Sequence, residues 1–162
     1  MAPLSPAAQR VQDALAAQGL SCRVVELPVS TRTALEAAQA VDCELGQIVK
    51  SIVFRGERSG RPILVLVSGT NRVDEKRLAD LVAEPVSKAD AEFVRERTGF
   101  AIGGVPPVGL AGPMDVLVDC DLLAHPEVWS AAGTPRAVFK LPPADLVRIA
   151  GGRVAAIKPP AG

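Results

Sequence analysis

Two short stretches of this chain carry residues whose types and spacing can do chemistry. The first is Gln47-Ile48-Val49-Lys50-Ser51-Ile52-Val53-Phe54. It has the run of apolar and β-branched residues of a central strand, with one lysine in its middle. Side chains alternate across a strand, so Lys50 shares a face with Ile48, Ile52 and Phe54. An ammonium on an apolar face is costly unless something pairs with it or uses it. A lysine that snorkels to the sheet edge is the plain alternative. The second stretch is Gly103-Gly104-Val105-Pro106-Pro107-Val108-Gly109. Adjacent glycines let a ligand approach main-chain N–H groups closely, and the two prolines stiffen the rest of the loop. A stiff loop of that kind suits an oxyanion or a carbonyl. It also serves as a plain connecting loop, and it is neither a P-loop nor a GxGxxG turn.

Other chemistry is poorly supplied. The single histidine, His125, precedes Pro126 in a polar turn, which disfavours a Ser-His-Asp or Cys-His device. Cys22, Cys43 and Cys120 are odd in number and lack CxxC pairing, which suits a reducing cytosol and gives no zinc framework. Asp115, Asp119 and Asp121 suggest a cation site, but a solvated turn explains the last two more simply, so no metal is expected. Arg72, Lys76, Arg77, Lys88 and Arg136 are candidate phosphate contacts, yet most have acidic neighbours and read as solvated faces.

The elements that must position these residues can be read from caps and periodicity. Ser5-Pro6 opens a helix that ends at Gly19. Ser21–Leu27 reads as a strand. Thr33 and Glu36 form a capping box for a helix to about Val41. The Lys50 strand pairs antiparallel with Pro62–Ser68 through a hairpin at Arg55–Gly60. Gly69-Thr70-Asn71 is a turn. Asp74 and Ser87 are helix caps, and Gly99 closes the second of these helices. Further strands lie at Met114–Asp119, Pro126–Ala131, Ala137–Leu141 and Val154–Ile157. A helix from Pro142 ends at Gly151-Gly152, and Pro159–Gly162 is a tail. The expected fold is mixed α/β, a mainly antiparallel curved sheet surrounded by helices, in a single domain over residues 1–162.

With 162 residues there is enough chain for a real core, of Val, Leu, Ile and Ala because aromatics are only 3%. Lys+Arg and Asp+Glu are both 18, which disfavours a duplex DNA binder. Scarce aromatics disfavour a single-strand stacking surface. A contact with one RNA end stays open. No apolar run reaches membrane-spanning length, and Met1–Pro6 lacks the pattern of a signal peptide.

Taken in order, several segments resemble the YbaK/ProX family, free-standing relatives of the editing domain of bacterial prolyl-tRNA synthetases. They are Thr33-Ala34 with Ala37-Ala38, Leu45 to Phe54, Gly99-Phe100 with Gly103 to Gly109, and Trp129 to Gly133 leading to Leu141-Pro142 and Asp145-Leu146. The resemblance implies a cytoplasmic trans-editing deacylase that hydrolyses mischarged aminoacyl-tRNA. The implied substrate is tRNA-Pro carrying a small wrong amino acid such as Ala, 2-aminobutyrate, Ser or Thr. It implies no cofactor, and with the charge balance and the lack of a long apolar run no DNA and no membrane are expected; its partners would be the tRNA acceptor end and prolyl-tRNA synthetase or an elongation factor. A noncatalytic tRNA-end-binding or regulatory module on the same fold is the alternative. The family's essential lysine falls on Lys50 and its glycine loop on Gly103 and Gly104. Lys50 then binds phosphate or ribose, steadies an oxyanion, or acts as a base, and these stay open. The substrate pocket is expected to use Thr33, Ile48, Ile52, Pro106, Ala131, Ala132 and Gly133. Ala131 stands where some members carry Ser or Asn, which fits a smaller, less polar pocket.

Overall fold

The capping residues set the helix starts. In the computed structural model, which describes residues 3–31 and 33–160, the Ser5 hydroxyl accepts from the Ala8 N–H and Pro6 takes the first turn of α1 (Pro6–Ala17). Met1, Ala2, Ala161 and Gly162, from the expected N-terminal segment and C-terminal tail, lie outside the described residues. Ala8, Val11 and Leu15 form the buried stripe of α1. Thr33 caps α2 (Ala34–Val41) by accepting from the Glu36 N–H at 3.1 Å, and its hydroxyl donates to the Glu36 carboxylate at 2.9 Å. Asp74 caps α3 (Glu75–Val82).

The predicted strand at Ser21–Leu27 shrinks to β1 (Val25–Glu26). The lysine strand is β2 (Val49–Gly56), entered from a 3-10 turn at Leu45–Gln47 rather than extended from Gln47. It pairs antiparallel with β3 (Pro62–Ser68), as expected. Ser87 is not a cap. It lies in β4 (Val86–Lys88), and Asp90 instead caps α4 (Ala91–Thr98) by accepting from the Phe93 N–H at 2.8 Å. Both residue types cap well, and pairing of Phe54–Gly56 with Val86–Lys88 decides between them. The chain closes with β5 (Asp115–Asp119), β6 (Val128–Ala131), β7 (Ala137–Leu141), α5 (Pro143–Ala150) and β8 (Arg153–Ala155).

One sheet has the order β4-β2-β3-β5-β8 and a smaller one the order β1-β7-β6. β2/β3, β2/β4, β1/β7 and β6/β7 are antiparallel, and β3/β5 and β5/β8 are parallel. The mixed, mainly antiparallel expectation therefore holds. A parallel bridge between Ile48 and Trp129 ties the sheets together. Val49, Val53, Leu64 and Leu66 face a core shared with α1, α4 and α5, while Phe54, Ile63 and Val65 face α3.

Candidate functional site

Lys50 belongs to the second of these faces. Ile52 and Phe54 come after it on that side of β2 and pack into the core under α3. Ile48 does not: it precedes the strand and packs with Ala37 and Ala38 of α2. The helix covers Phe54 completely and leaves Lys50 half-buried at the uncovered end. Burial pushes the Lys50 ammonium below its ordinary range, Asp119 opposes this, and Lys88 adds to it. The ammonium donates to the main-chain carbonyl of Asn71.

Three hollows meet at Lys50. A cavity of about 440 Å³ lies between the two sheets, lined by Ala34, Ala37, Ile48, Ile102, Trp129 and Ala131 among others. Thr33, Ser51, Ile52 and Gly103 also reach it. β4 pairs with Phe54–Gly56, the Ala89 N–H donates to the Val53 carbonyl at 3.1 Å, and the Trp129 bridge stops at Ile48, so between them Lys50, Ser51 and Ile52 run along this cavity with no partner strand on that edge among the described residues. The Ser51 hydroxyl is buried and has no hydrogen-bond partner among the described residues. On the other side of Lys50, a groove of about 500 Å³ runs past Arg72, Asp74, Glu75 and Lys88. A further hollow of about 430 Å³ extends past Asn71 to Lys158. Arg72 and Lys88 form no ion pair among the described residues, whereas Lys158 pairs with Asp121 at 3.0 Å. Both cations are exposed, as expected of solvated faces, and they line a groove that ends at Lys50.

The glycine loop divides in function. Gly103, at φ +91°, reaches the cavity, and its N–H has no hydrogen-bond partner among the described residues. Gly104 is buried, donates its N–H to the Ala101 carbonyl at 3.0 Å and accepts from the Gly133 N–H at 2.8 Å. A Cβ on Gly104 would lie 2.7 Å from the Thr134 nitrogen. The Gly104 N–H is therefore committed, and of the two adjacent glycines only Gly103 leaves its N–H without a partner among the described residues. Pro106 is buried behind the loop. Ala132 points into the main core, because Trp129 and Ala131 take the alternate, cavity-facing positions. Gly133, at φ +100°, packs where a Cβ would lie 2.7 Å from the Ala7 carbonyl oxygen of α1. Lys50, Gly103, Thr33, Ile48, Ile52 and Ala131 are thus brought together on the cavity, while Gly104, Pro106, Ala132 and Gly133 form the support behind it.

Sequence reasoning misses Asn71 and Asp119. Asp119 is expected in a solvated turn, yet it is fully buried and accepts from the Ser68 N–H, the Asn71 side-chain amide and the Asp121 N–H. The available signal is an acid ending the apolar run Val116-Leu117-Val118; for Asn71 there is none beyond a turn. Asp119, Cys120 and Asp121 bring three potential metal-ligand atoms within 4.8 Å of one another. Both carboxylates are engaged by these donors and Lys158, and burial with Asp121 and Asp119 pushes the Cys120 thiol up, away from thiolate. His125 lines none of the hollows at Lys50.

The model of the aminoacyl-tRNA editing domain matches residues 29–149 of this sequence, spanning α2, β2, the glycine loop and β6. The chain belongs to the aminoacyl-tRNA editing domain family. A solved structure described as a candidate trans-editing enzyme for prolyl-tRNA synthetase is 55% identical, with TM-score 0.92, covering 98% of this chain and 100% of that one. YwhH of Bacillus subtilis (strain 168), itself uncharacterised, is 31% identical over 131 residues, 81% of this chain and 83% of its own. The proline–tRNA ligase of Limosilactobacillus fermentum is 32% identical over 88 residues, 52% of this chain but 15% of the ligase. As a member of this editing family the chain is related to a domain of prolyl-tRNA synthetases, and no helix among the described residues is long and apolar enough to cross a membrane.

Proposed function

We propose that this chain is a trans-acting deacylase for mischarged tRNA, cleaving the ester between a small wrong amino acid and the terminal ribose of tRNA-Pro. The observation that carries this reading is the position of Lys50, a half-buried ammonium where an apolar cavity meets a cation-lined groove. An aminoacyl ester has that polarity: a small side chain on one side of the scissile carbonyl, a ribose and phosphate on the other. The amino acid would occupy the Ile48–Trp129–Ala131 cavity, and the acceptor end would run past Arg72 and Lys88.

Lys50 then serves as a charged donor. Its contact with the Asn71 carbonyl and the nearby Asp119 both favour the ammonium. Together with the Gly103 N–H it would hold the carbonyl oxygen as that oxygen gains charge. A water attacks the carbonyl carbon, the bond to the ribose oxygen breaks, and the proton lost by the water ends on that departing oxygen, releasing free amino acid and free tRNA. If the neighbouring ribose hydroxyl attacks first, the acyl group only moves to that oxygen, and a water must then cleave the new ester in the same way. Because no carboxylate or imidazole among the described residues lines the apolar cavity, the activated ester and a stabilised oxyanion carry the reaction.

Such a pocket fits double-sieve editing. A synthetase gains only about 1–3 kcal/mol of discrimination per missing methylene, so a second, smaller site must clear the error. The test is a panel of tRNA-Pro acylated with Ala, 2-aminobutyrate, Ser, Thr or Pro, incubated with wild type and Lys50→Ala. Hydrolysis of at least one small acyl group by wild type alone is expected. No hydrolysis across the panel, with binding retained, would make the chain a noncatalytic tRNA-end module.

A further inference from the structure

Asn71 sits in the turn after β3, and its two ends do different things. Its side-chain amide donates to Asp119 at 2.8 Å and to Asp121 at 2.8 Å, so both amide hydrogens are taken by carboxylates from the end of β5. Its main-chain carbonyl accepts from Lys50. Asp119 is fully buried and forms no ion pair within 4 Å among the described residues. A buried carboxylate held only by neutral donors costs stability that an apolar residue would not. All three groups pointing at it, the Ser68 N–H, the Asn71 amide and the Asp121 N–H, are donors, so only an acceptor-only side chain fits.

Resting on the editing reading, we infer that Asn71, clamped by Asp119 and Asp121, is a positioning residue that holds the Lys50 ammonium at the junction of the cavity and the groove. A lysine side chain has four rotatable bonds and, half-buried beside open hollows, would otherwise swing into the groove. The carbonyl of a turn pinned at two points gives it one address. The geometry accounts for the buried charge: Asp119 fixes the turn and lies near enough to favour the ammonium. The charged groups around Lys50 are Asp119 at the end of β5, Lys88 on β4, Arg72 before α3, Asp74 and Glu75 at its start, and Lys158 near the C-terminus, itself paired with Asp121.

The test is Asn71→Ala, which keeps the main-chain carbonyl and removes its anchor, beside Asn71→Ser, which restores one donor. Two readouts are taken: steady-state deacylation, and the titration of Lys50 followed by NMR on protein carrying 13Cε-labelled lysine, with Lys50→Arg assigning the signal. Asn71→Ala is expected to lower kcat about tenfold with KM changed less than about twofold, and Asn71→Ser to recover part of the loss. The Lys50 titration should move up toward that of an ordinary lysine as the ammonium escapes to water. Wild-type kcat in folded Asn71→Ala overturns the inference, as does a loss of kcat with the Lys50 titration unmoved. If Asn71→Ala does not fold, Asn71→Ser decides by the same two readouts. If wild type hydrolyses no ester, the editing reading fails by itself, and the NMR titration still decides whether Asn71 positions Lys50.

Discussion

The two sides of Lys50 are built differently. Toward the inter-sheet cavity the walls are Ala34, Ala37, Ile48, Trp129 and Ala131, side chains fixed by α2, β6 and the bridge between the sheets. Toward the groove they are Arg72, Asp74, Glu75 and Lys88, exposed or half-exposed side chains at a turn, a helix start and an edge strand. A rigid apolar wall discriminates by size, because overfilling it forces packed neighbours to move. A flexible charged wall attracts by charge, weakly and under the control of salt. Under the proposed function, the contrast would give recognition of the amino acid to one side and of the nucleic acid to the other, with the reacting carbonyl between them.

The largest effect should come from the residue common to both sides. Lys50→Ala is expected to lower kcat by at least about 100-fold, the usual cost of losing one donor to a developing oxyanion. KM should change only a few-fold, since both walls remain. Single-turnover deacylation measures it, and wild-type turnover in a folded Lys50→Ala protein would remove the lysine from the mechanism.

Ala131→Val tests the rigid side alone. Overpacking costs about 1–3 kcal/mol, so the ratio of alanyl to 2-aminobutyryl ester hydrolysis should rise by about tenfold or more. Arg72→Ala tests the other side. It should raise KM several-fold for every acyl group alike and reduce the salt slope of binding by about 0.7 for each phosphate that Arg72 neutralises. Crossed results, with Arg72→Ala changing acyl preference or Ala131→Val changing the salt slope, would break the division of labour.

The sequence carries the rigid side better than the flexible one. The lysine in an apolar strand is legible because a charge violates the pattern around it, and Ile52 and Phe54 do share its face. Thr33 is legible from its capping pair with Glu36. Alternation within β6 would separate Ala131 from Ala132, but the strand end beside Gly133 hides the phase. Gly103 and Gly104 look alike in sequence, and only the approach of the Gly133–Thr134 loop distinguishes the open one from the packed one. Asn71 and Asp119 are 48 residues apart, and a contact made by a turn on one strand and the end of another has no local signature. Arg72 and Lys88 read as solvated faces because their neighbours in sequence suggest ion pairs that the fold does not make.

The smallest effect sharpens the comparison at Lys50 itself. Its ammonium is held below its ordinary value of 10.5, mainly by burial. The unfolded chain therefore binds this proton more tightly than the folded chain does. That difference is a full penalty on the folded state at neutral pH, where lysine is charged in both states. It fades as pH rises from the folded-state value toward 10.5, so this group makes stability increase with pH through that window. Lys50→Met removes the titrating group while keeping an unbranched side chain over Ile52. Its thermal midpoint should exceed that of wild type by a few degrees at pH 7, a modest gain for a chain of this length. The gap should narrow as both proteins are taken toward pH 10, and thermal unfolding across that range measures it. A gap independent of pH would mean that Lys50 is as well solvated as any surface lysine, and that the groove and cavity do not enclose it.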